Sequence, residues 1–494
     1  MSEGATKGEI SLQGYMVRGS FWTMAMRATT RLTSLTSTVI LARLLLPTDF
    51  GIVAIAMLIV GGVEIFSAAG QRAAIVRHLN PTLDHYDTAW TVSVLIGLFL
   101  ATIIWTTAPY AAVYFKTPQV VIVARILAFR TALSGFENIG TVNFQRGLRF
   151  NKTYQFTVSA KLISFSITVI SAFVLRNYWA LVIGIMVEEI AAVTLSYAME
   201  PHRPRFTLCK IRDIFSFSVW NLGKSIGGYL YRHLEKPMIG NFAGAPAMGR
   251  YSVAYDVTTL PSEELINPVV TALFPVMVKV QRDPVKRTEI YLSVLYWSAL
   301  LCVSTSVGIC LVGDDMVDLV LGAKWVDVKP LVPWLALSFG LVAMSSNVYA
   351  ALDSTGRART SAGLQWIRLL GMAAIVLPVA YYFKDLETIA MGRFWATLVM
   401  TPTLFVTLAR NLEIPLRDIL TTLAWPIISG LVMAAAVGGA NSVIPFHGPP
   451  RLAIDIALGG LTFTSAMMAL WFLRGRPKGP EAQLWERLPA SLKR

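Results

Sequence analysis

Four basic side chains lie in stretches that are apolar enough to enter a lipid bilayer. Arg27 and Arg31 stand one helical turn apart in the first such stretch, and Lys224 and Arg232 lie in another. A guanidinium can donate two hydrogen bonds at once to carboxylate or phosphate oxygens, and an ammonium supplies a compact positive charge. We therefore expect these four residues to bind an anionic group inside a water-filled membrane cavity.

The depth of Arg27 and Arg31 in the membrane decides which of the two side chains can reach the inner membrane surface. If Arg18 marks the inner boundary, a rise of 1.5 Å per residue places Arg27 about 13 Å and Arg31 about 20 Å into the membrane. Arg27 can extend its long side chain back to the inner surface, whereas Arg31 lies too deep to do so easily. The structural alternative for Arg31 is an ion pair, for instance with Glu64, and both roles can hold at once.

Acidic residues in the same apolar stretches are candidates for a second kind of site. An ionisable side chain near the bilayer centre costs about 2.5–3.5 kcal/mol on insertion scales, so it faces a partner or water. The acids either carry a coupling proton or sodium ion or act as counter-ions of the cavity cations, and we favour counter-ions. These acids are Glu64, Glu235, Asp256 and Glu263. Arg232 lies near the outer end of its stretch, so an interfacial position is its alternative.

The composition is that of an all-α polytopic membrane protein. Of the 494 residues, 55% are apolar and 15% charged, and the apolar residues form long blocks. A block of about 20 residues crosses the hydrocarbon layer. The net charge of +14 lies mainly at helix ends, which favours anionic lipid headgroups over nucleic acid as partners. The three cysteines and five histidines show no ligand spacing, so we expect no metal, no cofactor and no catalytic residue.

The apolar blocks predict about fourteen membrane helices. They lie near 17–46, 50–76, 86–108, 118–145, 153–175, 178–199, 214–242, 247–278, 288–312, 328–352, 359–383, 386–409, 416–438 and 452–473. If the N-terminus is cytoplasmic, most loop Lys and Arg residues fall on the inner side, as in "RGLRFNK". This distribution follows the positive-inside rule and predicts that both termini are cytoplasmic.

The chain also resembles itself at a shift of about 198 residues. "ILARLLLPTDFGIVAIAM" lies over "MIGNFAGAPAMGRYSVAY", which aligns Gly51 with Gly249. Because an even number of predicted helices separates the copies, we expect two parallel six-helix lobes with a substrate cavity between them. The predicted organisation is an N-lobe (1–199), an inter-lobe loop (200–213), a C-lobe (214–409), two further helices (410–474) and a cytoplasmic tail (475–494).

Several motifs, taken together in their order and spacing, resemble a known family. They include "FQRGLRFNK", "IGNFAGAPAMGRYSVAYDVTTLP" and "LVLGAKWVDVKPLVPWLA", in addition to the first repeat motif. On these residues the chain is similar to the WzxC/TuaB-like polysaccharide transporters of the multidrug/oligosaccharidyl-lipid/polysaccharide exporter superfamily. The resemblance covers nearly the whole chain, but its motifs lie mainly at loops and helix ends. They therefore assign no individual binding residue.

The resemblance implies a V-shaped, alternating-access fold and a cargo. That cargo is an undecaprenyl-pyrophosphate-linked oligosaccharide, moved to the outer leaflet of a bacterial inner membrane. Besides this cargo and membrane lipids, a polysaccharide polymerase and chain-length machinery are candidate partners. The alternatives are a cation-coupled exporter of small drugs and a membrane polymerase or ligase acting on lipid-linked glycans. The first would need an acidic pocket and the second a large outer loop.

Overall fold

The computed structural model describes residues 12–67, 71–78, 80–214, 219–443 and 448–473 of the chain. Every regular element within these ranges is a helix. The α-helices are α1 (Leu12–Leu44), α2 (Pro47–Glu64), α3 (Gln71–Arg77), α4 (Leu83–Tyr114), α5 (Gln119–Gly135), α6 (Val142–Arg146), α7 (Phe150–Leu175), α8 (Trp179–Met199), α9 (Ile211–Ile214), α10 (Val219–His233), α11 (Lys236–Val280), α12 (Pro284–Val320), α13 (Leu331–Ser354), α14 (Ala358–Phe383), α15 (Leu386–Leu412), α16 (Leu416–Val443) and α17 (Pro449–Leu473).

The number of helices suited to a bilayer is smaller than the sequence predicts. In the described part of the chain, ten helices are long and apolar enough to cross a membrane. There are eleven if α5 and the short helical segment after it, bent by 63°, count as one span. The chain is thus a multi-pass membrane protein, but the predicted count of fourteen is not confirmed. The long helices α1 and α11 are not among the ten, and the last part of α11, Leu265–Val280, is a shorter apolar helix.

The region predicted as helices 214–242 and 247–278 is divided differently in the structure. Helix α10 ends at His233 and α11 begins at Lys236, with Glu235 preceding it. Pro237 lacks an amide hydrogen, so it suits the first turn of a new helix and not the interior of a continuing one. A second break follows at Gly244, whose φ of 73° and ψ of −170° lie outside the helical region. These breaks place Glu235 between two helices.

The chain divides into two compact units. The first extends to Leu222 and includes Ala243–Gly249; the second comprises Gly223–Phe242 and the residues from Arg250 onward. A core of the first unit is formed mainly by apolar residues of α2, α4 and α5. A core of the second unit lies among α11, α12, α13 and α15. The predicted lobe limits and the internal repeat remain predictions.

Two glycines that the sequence aligns with each other make close backbone contacts within the first unit. A Cβ atom at Gly51 would overlap the carbonyl oxygen of Ala245, and one at Gly249 would overlap the carbonyl oxygen of Pro47. Since both obstacles are backbone atoms, neither can be relieved by a side-chain rotation. This packing requires a residue without a side chain at each position.

Replacing Gly51 by Ala is therefore expected to lower the free energy of unfolding by about 1–3 kcal/mol or more, as overpacking does in tight interiors. Thermal unfolding of the purified protein measures this effect. Gly438→Ala is the matched control, since a Cβ there meets no atom within 4 Å. Alanine also favours a helix over glycine by about 1 kcal/mol, so the control should be neutral or slightly stabilised. Equal stability of the two variants would contradict the close contact.

Candidate functional site

Arg27 and Arg31, which stand one helical turn apart in the sequence, both lie on α1. Arg27 and Arg31 are both half-buried. The hydroxyl groups beside them bond to their own helix: Thr30 donates to the Met26 carbonyl at 2.8 Å, and Thr38 donates to the Ser34 carbonyl at 3.0 Å. Such bonds satisfy threonine without water. The polar character of this part of α1 therefore depends mainly on the two arginines.

Glu64 lies in an ion-pair network of the first unit. Its Oε1 accepts hydrogen bonds from Arg130 Nη1 at 3.0 Å and from Thr131 Oγ1 at 2.8 Å. Arg130 Nε also lies 3.4 Å from Glu189 Oε2. One guanidinium on α5 thus joins acids of α2 and α8. The structure brings Glu64 against Arg130, an ion pair that the sequence analysis did not anticipate.

Lys224 and Arg232 occupy different environments in the second unit. Lys224 Nζ pairs with Asp353 Oδ2 on α13 and lies 5.3 Å from the centroid of the Tyr349 ring. Arg232, near the end of α10, is exposed. Lys224 therefore has an internal counter-ion, while Arg232 is accessible from outside the protein.

Glu235 is the most completely buried acid among the predicted site residues. It is 0% exposed, as is Arg393 of α15, whose Nη1 lies 2.5 Å from Glu235 Oε1. Tyr251 on α11 donates its phenolic hydrogen to the same oxygen at 2.6 Å. The break between α10 and α11 points this acid into the unit. Its geometry is that of a counter-ion held by a charge-assisted hydrogen bond.

The two remaining predicted acids lie along α11. Asp256 is exposed and lies close enough to Lys236 to attract its ammonium group electrostatically. Glu263 is part of the helix, but its side chain lies outside the described residues. Within the described ranges, no group of three or more His, Cys, Asp or Glu side chains is arranged to hold a metal ion.

Basic and tyrosine side chains alternate through the second unit. Lys224 and Arg368 both face Tyr349, Arg368 and Arg393 both face Tyr231, and Arg393 and Lys236 both face Tyr255. The shortest of these contacts are 4.2 Å from Lys236 Nζ to the Tyr255 ring and 4.3 Å from Arg368 Cζ to the Tyr231 ring. We call this set the cation–tyrosine ladder: Lys224, Tyr349, Arg368, Tyr231, Arg393, Tyr255 and Lys236.

Burial makes the ladder energetically costly unless its charges are compensated. Arg393 is 0%, Arg368 3% and Lys236 8% exposed. A desolvated cation over an aromatic ring gains about 2 kcal/mol or more, whereas removing an ion from water costs several kcal/mol. Tyrosine faces alone therefore do not offset the burial of three cations. A concentration of positive charge at this cost is typical of a functional site.

Arg368 and Arg393 are the site residues that sequence reasoning missed. They stand as lone charges in the apolar stretches "LQWIRLLGM" and "AMGRFWATL". Helix geometry places Arg368 about 15 Å along α14 and Arg393 about 10 Å along α15, well inside spans. A charge inside a membrane span costs free energy at these two positions as it does at Arg27 and Arg31, so the sequence itself carries the signal that identifies them.

An apolar cavity of about 350 Å³ lies between α11 and α12 in the second unit. Its lining is entirely hydrophobic and includes Val269, Val276, Val294 and Trp297. Such a surface accepts hydrocarbon and offers nothing to a sugar or a phosphate.

The family model described as "Polysaccharide biosynthesis protein" matches residues 40–330, more than half of the chain. The chain belongs to this family. Teichuronic acid biosynthesis protein TuaB of Bacillus subtilis is 24% identical over 410 residues, which cover 80% of this chain and 83% of TuaB. Succinoglycan biosynthesis transport protein ExoT of Rhizobium meliloti is 23% identical over 433 residues, which cover 86% and 87% of the two chains.

The fold of this chain also occurs in solved structures of other proteins. The lipid II flippase MurJ in an inward closed conformation matches with a TM-score of 0.72 at 12% identity, over 92% of this chain and 99% of MurJ. An inward-facing multidrug resistance MATE transporter matches with a TM-score of 0.56 at 15% identity, over 79% and 96%. The all-helical fold is thus the one found in MurJ and in this MATE transporter.

Proposed function

We propose that the chain is a flippase for undecaprenyl-pyrophosphate-linked oligosaccharides. It would move these precursors of exopolysaccharide, capsule or O-antigen from the inner to the outer leaflet of a bacterial inner membrane by alternating access. Membership of a polysaccharide biosynthesis family supports a glycan cargo. The observation that carries the proposal is the cation–tyrosine ladder, because its concentration of positive charge favours an anionic over a cationic cargo.

Each chemical part of the proposed cargo has a matching surface. Arg27 and Arg31 in the first unit and Lys224 in the second offer cations to pyrophosphate oxygens or acidic sugars. The polyprenyl tail remains in lipid, and the cavity between α11 and α12 offers it an apolar contact. Arg232, which is exposed, would contribute at the entrance and not at the buried centre.

Export of small cationic drugs is the main competing function, since the fold is common to both transport classes. A cationic drug needs an unoccupied acidic side chain in its pocket. In the described second unit, Glu235 is neutralised by Arg393 and Asp353 by Lys224. The ladder would repel such a substrate, so its charge favours the anionic cargo. A polymerase and chain-length machinery are proposed as partners that receive the flipped product.

Deletion of the gene, followed by mass analysis of extracted lipids, tests the function and identifies the cargo. The proposal predicts that an undecaprenyl-pyrophosphate-linked oligosaccharide accumulates and that the wild-type gene removes it on complementation. Unchanged lipid-linked glycans together with increased sensitivity to cationic drugs would overturn the proposal in favour of drug export.

The proposed orientation places both termini in the cytoplasm. Reporter fusions after Lys116 and Lys384 are expected to report the periplasm, and fusions after Lys152 and Arg287 the cytoplasm. The first two residues lie in the short turns after α4 and α14. Lys152 and Arg287 lie in the first turns of α7 and α12, which the proposed topology places on the cytoplasmic side. An exchange of any of these assignments would contradict the topology.

A further inference from the structure

We propose that the second unit contains a binding site for a compact monoanion at Arg368, between α10, α13 and α14. The site belongs to the interior of this unit and takes a small inorganic anion or a single anionic group of similar size. A site filled by a dissolved anion goes beyond the proposed function, whereas a site filled by a phosphate group of the cargo rests on it.

The charges of the ladder do not balance at Arg368. Three of its four cations have an acidic neighbour: Lys224 has Asp353, Arg393 has Glu235, and Lys236 has Asp256. Among the described residues, Arg368 has no carboxylate partner. The ladder with its acids therefore carries one net positive charge, located on a guanidinium that is 3% exposed. A buried charge of this kind requires compensation by an opposite charge.

The hydrogen-bonding groups of Arg368 indicate where an anion would bind. Tyr231 covers a face of the guanidinium at 4.3 Å, and Tyr349 lies beside it. The N–H groups point outward in the guanidinium plane, where the hydroxyl groups of Tyr231 and Tyr349 lie near enough to accept from part of them. Two of the buried nitrogens, Nε and Nη2, have no hydrogen-bond acceptor in the described structure. These groups form a donor edge that matches a halide or an oxyanion.

The neighbouring charges favour a small occupant with one negative charge. Glu235 accepts hydrogen bonds from Arg393 and Tyr251, so it compensates Arg393 and not Arg368. At 3% exposure, Arg368 is closed to a bulky glycan. A dissolved anion such as chloride and an oxygen of a phosphate group share the required chemistry. They differ in source, one coming from solution and the other from the cargo.

Thermal unfolding of the purified full-length protein tests the site. Sodium gluconate, whose anion is bulky, is replaced stepwise by sodium chloride or sodium phosphate at constant ionic strength. We expect a saturable rise in Tm of roughly 2–4 °C with at least one compact anion. The rise should disappear in Arg368→Gln and persist in Arg410→Gln, which removes the same charge from an exposed position on α15. The same rise in Arg368→Gln as in wild type would overturn the proposal.

Further measurements identify the source of the anion and keep the site testable if the glutamine variant does not fold. If undecaprenyl pyrophosphate gives the Arg368-dependent rise while chloride and inorganic phosphate do not, the site binds a group of the cargo. If Arg368→Gln fails to fold, Arg368→Lys, which keeps the charge but loses the planar donors, should weaken the apparent anion affinity several-fold. Absence of a saturable rise in the wild-type protein with all three anions would overturn the site. That result would not contradict the proposed function, which is tested by the accumulation of lipid-linked oligosaccharide in the deletion strain.

Discussion

Glu235→Gln is expected to lower the free energy of unfolding by about 3–5 kcal/mol, the range found when one member of a buried ion pair is removed. Glu235 and Arg393 are both 0% exposed, and the Arg393 guanidinium also packs 5.0 Å from the centroid of the Phe339 ring. Glutamine retains the shape of the side chain and one acceptor oxygen. The lost free energy of unfolding therefore comes from the uncompensated charge of Arg393 and not from an empty space in the core.

A double-mutant cycle separates this pairing from ordinary packing. Because Arg393→Met removes the cation, Glu235→Gln combined with Arg393→Met should cost less than the sum of the single changes. Thermal unfolding of the four purified proteins supplies the cycle. The matched control is Asp318→Asn, which breaks the pair with Lys329 at a carboxylate that is 52% exposed. This surface pair should contribute at most about 1 kcal/mol. Additive effects at Glu235 and Arg393 would contradict the ion pair.

Arg31→Ala is expected to abolish most export while the protein remains inserted in the membrane. A charge-assisted hydrogen bond to an anionic cargo contributes about 1.5–3 kcal/mol, which corresponds to a 10–100-fold fall in transport rate. Arg31→Lys keeps the charge but loses bidentate geometry, so it should retain part of the activity. Arg27→Ala should be milder, because this side chain can extend to the membrane surface.

Complementation of the deletion strain measures this prediction. Exported polysaccharide is quantified relative to the amount of each variant in the membrane. Leu32→Ala is the control on the same helix, since Leu32 is 65% exposed and carries no charge. It should export at the wild-type level. Normal export by Arg31→Ala would exclude Arg31 as a cargo ligand, whereas reduced membrane insertion of that variant would assign it a structural role.

The sequence predicted most of the helical framework, because hydropathy and length are local properties. The long apolar blocks around α4, α7 and α12 are recognisable from their composition alone. The break before Glu235 was missed because α10 and α11 are both helical, and only Pro237 interrupts the amide pattern. Charged side chains lower the hydropathy that identifies a span, and α1, which carries Arg27 and Arg31, is not among the ten described helices that are long and apolar enough to cross a membrane.

The candidate site was predictable in kind but not in its pairings. The free-energy cost of a charge inside the membrane singled out Glu64 and Glu235 in the sequence, and both lie in ion pairs in the structure. Their partners lie 66 residues away at Arg130 and 158 residues away at Arg393, so tertiary packing determines them. No local sequence pattern identifies partners that are this far apart in the chain. The alternation of tyrosine and cations likewise becomes visible only when α10, α11, α13, α14 and α15 pack together.

Translocation of a purified lipid-linked oligosaccharide in proteoliposomes tests the proposed function most directly. The lipid accumulated by the deletion strain is incorporated into vesicles with or without the purified protein, and its accessibility to an external glycan-modifying enzyme is followed over time. Wild-type protein should make the protected inner-leaflet fraction accessible, and Arg31→Ala should slow this exchange by at least about tenfold. Accessibility that is the same with the wild-type protein as in protein-free vesicles would contradict a flippase.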